Sequence, residues 1–182
     1  MKRLLRSACL LLAACLAPSA FAQTWPSKPI RLVLQFPPGG STDSVARILA
    51  QSMSATLGQP VLVENRPAAD GAIAGDFVAR AEPDGHTFFL ASNTPMMQVP
   101  LLKKNPPYDP VKSFAPAKVA PEIVQRLNRE LNAAMQRPDV RERISALGFE
   151  LVGSSPDEMA VFLQEQLLAW GKAFRDAGMT PE

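Results

Sequence analysis

Apolar residues fall along this chain in two rhythms. From Pro29 to Phe36 they run almost without a break, with Arg31 and Gln35 the interruptions, and such a run predicts a strand covered on both faces. From Ser44 to Leu57 the spacing changes. Val45, Ile48, Leu49, Met53 and Thr56 recur at helical intervals, and Gly58 supplies the stop. Val61 to Val63 predicts a second short strand, Ala72 to Ala81 a helix of small residues ended by Pro83-Asp84-Gly85, and His86 to Ala91 a third strand. Strand and helix alternating in this order predict an α/β fold, a mainly parallel sheet flanked by helices and joined by right-handed crossovers.

The C-terminal third changes to helix. Pro121 to Met135 places Ile123, Val124, Leu127, Leu131 and Met135 on one stripe, and Val140 to Leu147 predicts a second helix with Gly148 beyond its end. Phe149 to Val152 predicts a short strand. The last helix opens on a capping box, Ser155 with Glu158, has Pro156 at its first position and stops at Gly178. Its apolar residues Phe162, Leu163, Leu167, Trp170 and Phe174 require a partner surface. Between the two halves, from Asn93 to Pro121, lie seven prolines and room for no more than a helical turn near Leu101. So long a structureless stretch is unusual inside a compact domain, and it marks either a functional loop or a missing element.

The first 22 residues stand apart from this pattern. Lys2, Arg3 and Arg6 precede an apolar run from Ala8 to Ala17 that is too short to span a bilayer, and Ala20-Phe21-Ala22 forms a small-x-small cleavage site before Gln23. These are the marks of a secretory leader, and they predict an exported, periplasmic protein. Leu12-Ala13-Ala14-Cys15 also has the form of a lipobox, which would leave a lipoprotein anchored at Cys15. Cleavage after Ala22 removes three of the 19 basic residues and none of the 17 acidic ones, which turns a formal charge of +2 into −1. No basic surplus is left to attract nucleic acid or acidic lipid. Both cysteines, Cys9 and Cys15, leave with the leader, so the stability of the mature chain must come from packing.

Candidate chemistry gathers at one corner. The strand ending at Phe36 runs into Pro37-Pro38-Gly39-Gly40 and then directly into the Ser41-Thr42-Asp43 start of a helix. Glycines let a ligand approach the backbone, and the first turn of a helix offers N–H groups without intrahelical partners together with the positive end of its dipole. That suits a carboxylate or a phosphate. A plainer reading keeps Pro37 to Gly40 as a tight turn and Asp43 as a helix cap. Enzymatic readings find little support. His86 is the only histidine, no cysteine survives leader cleavage, and Ser41 lacks the G-x-S-x-G surroundings of a nucleophile elbow. The loop has neither the lysine of a P-loop nor the spacing of a dinucleotide fingerprint. No catalytic residue, metal site or cofactor is expected.

The residues resemble a known family. Trp25-Pro26-Ser27-Lys28-Pro29-Ile30, the Phe36 to Gly40 corner with Asp43, Val63-Glu64-Asn65-Arg66-Pro67, Pro83-Asp84-Gly85 and Pro107-Tyr108-Asp109-Pro110-Val111-Lys112 are similar to the N-terminal part of the solute-binding receptors of tripartite tricarboxylate transporters, the Bug family. Pro121-Glu122-Ile123-Val124, Leu127-Asn128, Arg137-Pro138-Asp139-Val140-Arg141, Leu147-Gly148, Trp170-Gly171-Lys172 and Asp176-Ala177-Gly178 resemble its C-terminal helices. The resemblance implies one lobe of a periplasmic-binding-protein-like (type II) fold. It implies ligand contacts at Phe36, Pro38, Gly39, Gly40, Ser41, Thr42 and Asp43 and, after the third strand, at Ser92, Asn93 and Thr94. The implied ligand is a small carboxylated solute, and the implied partner a membrane permease.

Family members have two lobes, and here Lys112-Ser113-Phe114-Ala115-Pro116 passes straight to Ala117-Lys118-Val119-Ala120-Pro121. The expected organisation is therefore a leader at 1–22, the first part of a lobe at 23–112, a junction at 113–120 in place of the second lobe, and returning helices at 121–182. A lone lobe with its cleft side open also predicts self-association, or a remnant that binds no solute. Two positions depart from the family pattern: Asp70 and Ala72 stand where glycine and asparagine are frequent, and Pro95 follows Thr94 where a histidine is common.

Overall fold

In a computed structural model that describes residues 25–115 and 118–181, three parallel strands form the sheet. They are β1 (Ile30–Leu34), β2 (Val61–Asn65) and β3 (Thr87–Leu90), in the order β2-β1-β3. Ile30 lies opposite Val61, and Arg31 opposite both Leu62 and Thr87. Helix α1 (Ser41–Leu57) links β1 to β2, and α2 (Ala72–Ala79) links β2 to β3. The leader and the lipid-modification reading at Cys15 lie outside the described residues, as do two residues of the junction.

Strand residues alternate between faces, and the two linking helices lie on opposite ones. Ile30 and Val61 pack with Val45, Ile48, Leu49, Met53 and Leu57 of α1. Arg31, one residue along from Ile30, instead stacks its guanidinium 4.8 Å from the ring of Phe77 on α2. Because β1 is central and the chain passes from it out to β2 and then back across it to β3, right-handed crossovers put the two helices on opposite faces.

The α1 face is closed by the end of the chain. Helices α4 (Pro121–Gln136) and α5 (Pro138–Ser145) bring Ala134, Val140 and the fully buried Ile144 onto α1. The α2 face has a smaller core of Ala72, Ala79, Val99 and Tyr108, with Phe114 against it. Tyr108 lies so close to Gly75 that a Cβ there would come within 2.5 Å of the tyrosine ring.

Three expectations need amendment. Phe149 to Val152 is not a strand. Its one inward residue, Leu151, packs on the α1 core while Phe149 and Val152 stay exposed. The proline-rich stretch begins with more structure than one turn, since a π-helical turn (Thr94–Gln98) runs into α3 (Val99–Leu102). Proline in a first helical turn is harmless, because the N–H it lacks would have no partner there. The long helix α6 (Pro156–Asp176) has its full capping box, with Glu158 N–H donating to Ser155 Oγ at 3.2 Å and Ser155 N–H to Glu158 Oε2 at 2.8 Å. Of its five apolar residues named above, only Phe174 is buried, and Phe162 is half exposed.

Candidate functional site

In an open parallel sheet a ligand finds its crevice where adjacent connections leave in opposite directions, outside the carboxyl ends of the strands. Here that point lies between β1 and β3. The two loops expected to hold a ligand, Phe36 to Asp43 and Ser92 to Thr94, leave from those two strand ends.

The loop after β1 is tied from below. Asp43 is buried, and both its carboxylate oxygens are engaged: Oδ2 accepts from Gly39 N–H at 3.0 Å and Arg47 Nε at 2.9 Å, Oδ1 from Arg47 Nη2 at 3.0 Å and Asn65 Nδ2 at 2.9 Å. These donors, Arg47 first, hold the Asp43 carboxyl down at about 2. Asn65 also donates to the Phe36 carbonyl at 3.0 Å, so the end of β2 fixes both ends of the loop. Asp43 thus lies beneath the loop and shapes it, and its side chain does not line the mouth. It is not the cap of α1 either, for that position belongs to Gly40, which supplies no side-chain bond.

What remains at the surface is backbone. Pro38, Gly39, Gly40 and Ser41 are exposed, Phe36 and Thr42 partly so. The first helical amide with an acceptor is Ser44 N–H, bonded to Gly40 O at 3.0 Å, and the amides of Ser41, Thr42 and Asp43 precede it in the unpaired first turn. Gly39, at φ +89°, holds the left-handed backbone that lets the chain turn into the helix.

The second loop is joined to the first by a residue that periodicity did not single out as functional. Gln35 is buried at the end of β1 and donates from Nε2 to Ser92 Oγ at 2.9 Å, while Ser92 N–H donates to Gln35 Oε1 at 3.2 Å. Gly71, from the loop after β2, packs against the same amide. Ser92 and Thr94 are partly exposed, and Asn93 is exposed. Asp70 is exposed at φ +55°. A lone amide in an otherwise apolar run was the available signal for Gln35. Asn65 stood in a recognised motif without a role.

Two depressions mark the surface. One of about 440 Å³ borders the site through Asp70 and Thr94 and continues past Lys103 to Met179. The larger, about 740 Å³, lies over α2 and away from both loops. Its four cations, Lys28, Arg31, Arg66 and Arg80, are balanced by the four carboxylates of Glu64, Asp76, Glu82 and Asp84, so it has no surplus charge for an anion. Among the described residues no group of three or more His, Cys, Asp and Glu could hold a metal, and no helix is long and apolar enough to cross a membrane. His86 is buried, and its Nε2 accepts from Ser27 N–H at 3.3 Å, a structural use.

Residues 45–114 match the model of the tripartite tricarboxylate transporter family receptor. A UPF0065 protein of Bordetella bronchiseptica is 40% identical over 135 residues, 74% of this chain and 40% of the relative. Over these stretches the chain is similar to the receptors of the tripartite tricarboxylate transporter family. The protein BugT of Bordetella pertussis is 40% identical over 103 residues, 56% of this chain and 32% of BugT. The matched part of the chain therefore spans well under half the length of these curated relatives. Among solved structures, the periplasmic binding protein BugD has the same fold at a TM-score of 0.78 and 20% identity, over 87% of this chain and 100% of BugD. MatC of Rhodopseudomonas palustris, solved with bound malate, does so at a TM-score of 0.72 and 19% identity, over 81% of this chain and 99% of that one.

Proposed function

We propose that this chain is the solute receptor of a tripartite tricarboxylate transporter type uptake system, exported to the periplasm, and that it binds small carboxylated solutes without chemistry. The observation that carries this reading is the convergence of two tethered loops at the β1–β3 crevice, with unpaired first-turn amides on one side and Ser92 on the other. A carboxylate fits such a place because backbone N–H groups and hydroxyls can satisfy its oxygens without a basic side chain. MatC with its malate, and an R. palustris protein solved with adipate, support the ligand class. A permease is the partner this reading requires.

The chain is read as one lobe, with residues 113–120 standing where a second would be built. The length of the relatives supports this. One lobe cannot close over its ligand, water competes at the open mouth, and salt screens it. Affinity for citrate, succinate, glutamate or nicotinate is then expected in the millimolar range, about 4 kcal/mol of binding free energy.

Gly40→Phe tests the site. Gly40 has φ −77°, which any residue adopts, and an added Cβ would meet nothing closer than Pro37 O at 3.9 Å. The variant should melt with the parent protein, while its ring covers the first-turn amides and abolishes the calorimetric signal. Undiminished binding by Gly40→Phe would remove the loop from the site.

A second reading has its own observation. Val152 and Leu168 are each 76% exposed, and Val161 and Phe162 are more than half exposed, an apolar surface that suits a lone lobe acting as an interaction module. On that reading the purified protein forms dimers or larger species in light scattering and gives no heat with any carboxylate. A strictly monomeric protein that melts cooperatively would count against it.

A further inference from the structure

Because a backbone N–H can only donate, the 3.2 Å contact from Ser92 N to Gln35 identifies the amide atom facing it as Oε1. The other amide atom, 2.9 Å from Ser92 Oγ, is then Nε2, and an NH₂ group can only donate. Ser92 Oγ must accept. Its single hydroxyl proton is therefore excluded from the Gln35 side and is free to point outward, where the serine is partly exposed.

We infer that Gln35 is a positioning residue that fixes the Ser92 hydroxyl as a donor to the ligand, so that this side of the crevice takes an anionic oxygen in preference to a neutral amide. The inference rests on the receptor reading given above. It concerns a residue that never touches the solute. Gln35 is only 9% exposed, so little water reaches its amide to offer other partners. The backbone of Gly71 lies close against it: a Cβ at that position would stand 2.9 Å from Gln35 Cδ. Glycine at 71, in the left-handed region at φ +85°, is what makes room for the amide. Three loops thus meet on one side chain, and the amide sets the direction of one hydroxyl.

The amide can be watched without any ligand. In the purified full-length protein, the Gln35 side-chain NH₂ protons should exchange slowly with solvent, and Ser92→Ala should speed that exchange. Free exchange in the parent protein would overturn the inference and leave the receptor reading intact.

Titration with succinate and succinamide then tests the consequence. The parent protein should favour the dicarboxylate, and Gln35→Leu and Ser92→Ala should each weaken succinate binding about tenfold and narrow the preference over the diamide. The double variant should be no worse than either single one, because Gln35 acts only through Ser92. Additive losses, or an unchanged preference in Gln35→Leu, would show a merely structural amide and sink the proposal. Should Gln35→Leu fail to fold, Ser92→Ala on its partly exposed loop still decides, since an unaltered succinate affinity there denies the donor. A parent protein that binds neither compound overturns the receptor reading, whatever the exchange rates show.

Discussion

Tyr108→Ala is expected to destabilise the protein by about 3–5 kcal/mol in chemical denaturation, the cost of deleting a large buried aromatic ring. The ring is the centre of the α2 face. It lies in the space left by the absent side chain of Gly75, meets Phe114 edge-on at 5.4 Å between centroids, and through Phe114 reaches Phe89 on β3. Its hydroxyl donates to Pro95 O at 2.6 Å, one residue beyond Thr94. Burial, and after it the charge of Asp76, pushes the phenol well above its ordinary range, so it stays a neutral donor at every physiological pH. Tyr108→Phe keeps the ring and strands a buried carbonyl, at an expected cost of about 1–2 kcal/mol. If Tyr108→Ala unfolds at the same denaturant concentration as the parent, the α2 core has been wrongly located.

The second large effect is at Asp43. Asp43→Asn keeps the shape but replaces one acceptor oxygen by a donor, which then faces either Gly39 N–H and Arg47 Nε or Arg47 Nη2 and Asn65 Nδ2. A loss of about 2–3 kcal/mol is expected, together with the shape of the loop above it. The carboxyl titrates at about 2 in the folded protein against 3.8 when free. A depressed value in the folded state means that the carboxylate stabilises the fold fully above about pH 4–5, and that this contribution is lost as pH falls toward 2. Arg47 is 52% exposed, so solvent screening reduces the pH-dependent part to about 1–2 kcal/mol. Glu64 and Asp84 are also lowered, and they make the parent protein acid-sensitive in their own right. The informative quantity is the stability difference between parent and variant, which should narrow between pH 5 and pH 2. A difference that stays constant would mean that shape, and not charge, holds the loop.

Much of the fold could be read directly because its signals are local. Gly58 ends α1 in the left-handed conformation at φ +71°, and Ser155 and Glu158 build the expected box at the start of α6. The Pro-Pro-Gly-Gly corner marked the turn into α1 for the same reason. Phe149 to Val152 misled because apolar residues raise strand propensity whether or not an edge is within reach, and a strand needs a neighbour as much as a sequence. The tethers of the site were invisible on different grounds. Gln35 and Ser92 are 57 residues apart, and Asn65 meets Asp43 across 22. Such pairs leave no periodic trace and become evident only once the sheet brings the strand ends together. The Pro-Tyr-Asp-Pro motif was recognised by resemblance, and its physical reason is Tyr108 beneath the loop after β3.

The two faces of the sheet are completed by different stretches of chain, and synthesis runs in one direction. The core residues of the α2 face, Ala72, Ala79, Val99, Tyr108 and Phe114, have all been made by Phe114. The α1 face is covered by α1 alone until Ala134, Val140 and Ile144 emerge, about a hundred residues after Ile30. A nascent chain stopped anywhere in between carries α1 on the sheet without the helices that close over it, and the apolar surface that Ala134, Val140 and Ile144 would cover is open to any apolar surface nearby. Long closure of this kind slows folding, because the entropy of the loop is lost before the contacts that reward it have formed. Until α4 and α5 arrive, that uncovered side of α1 is where an unfinished chain can stick to its neighbours.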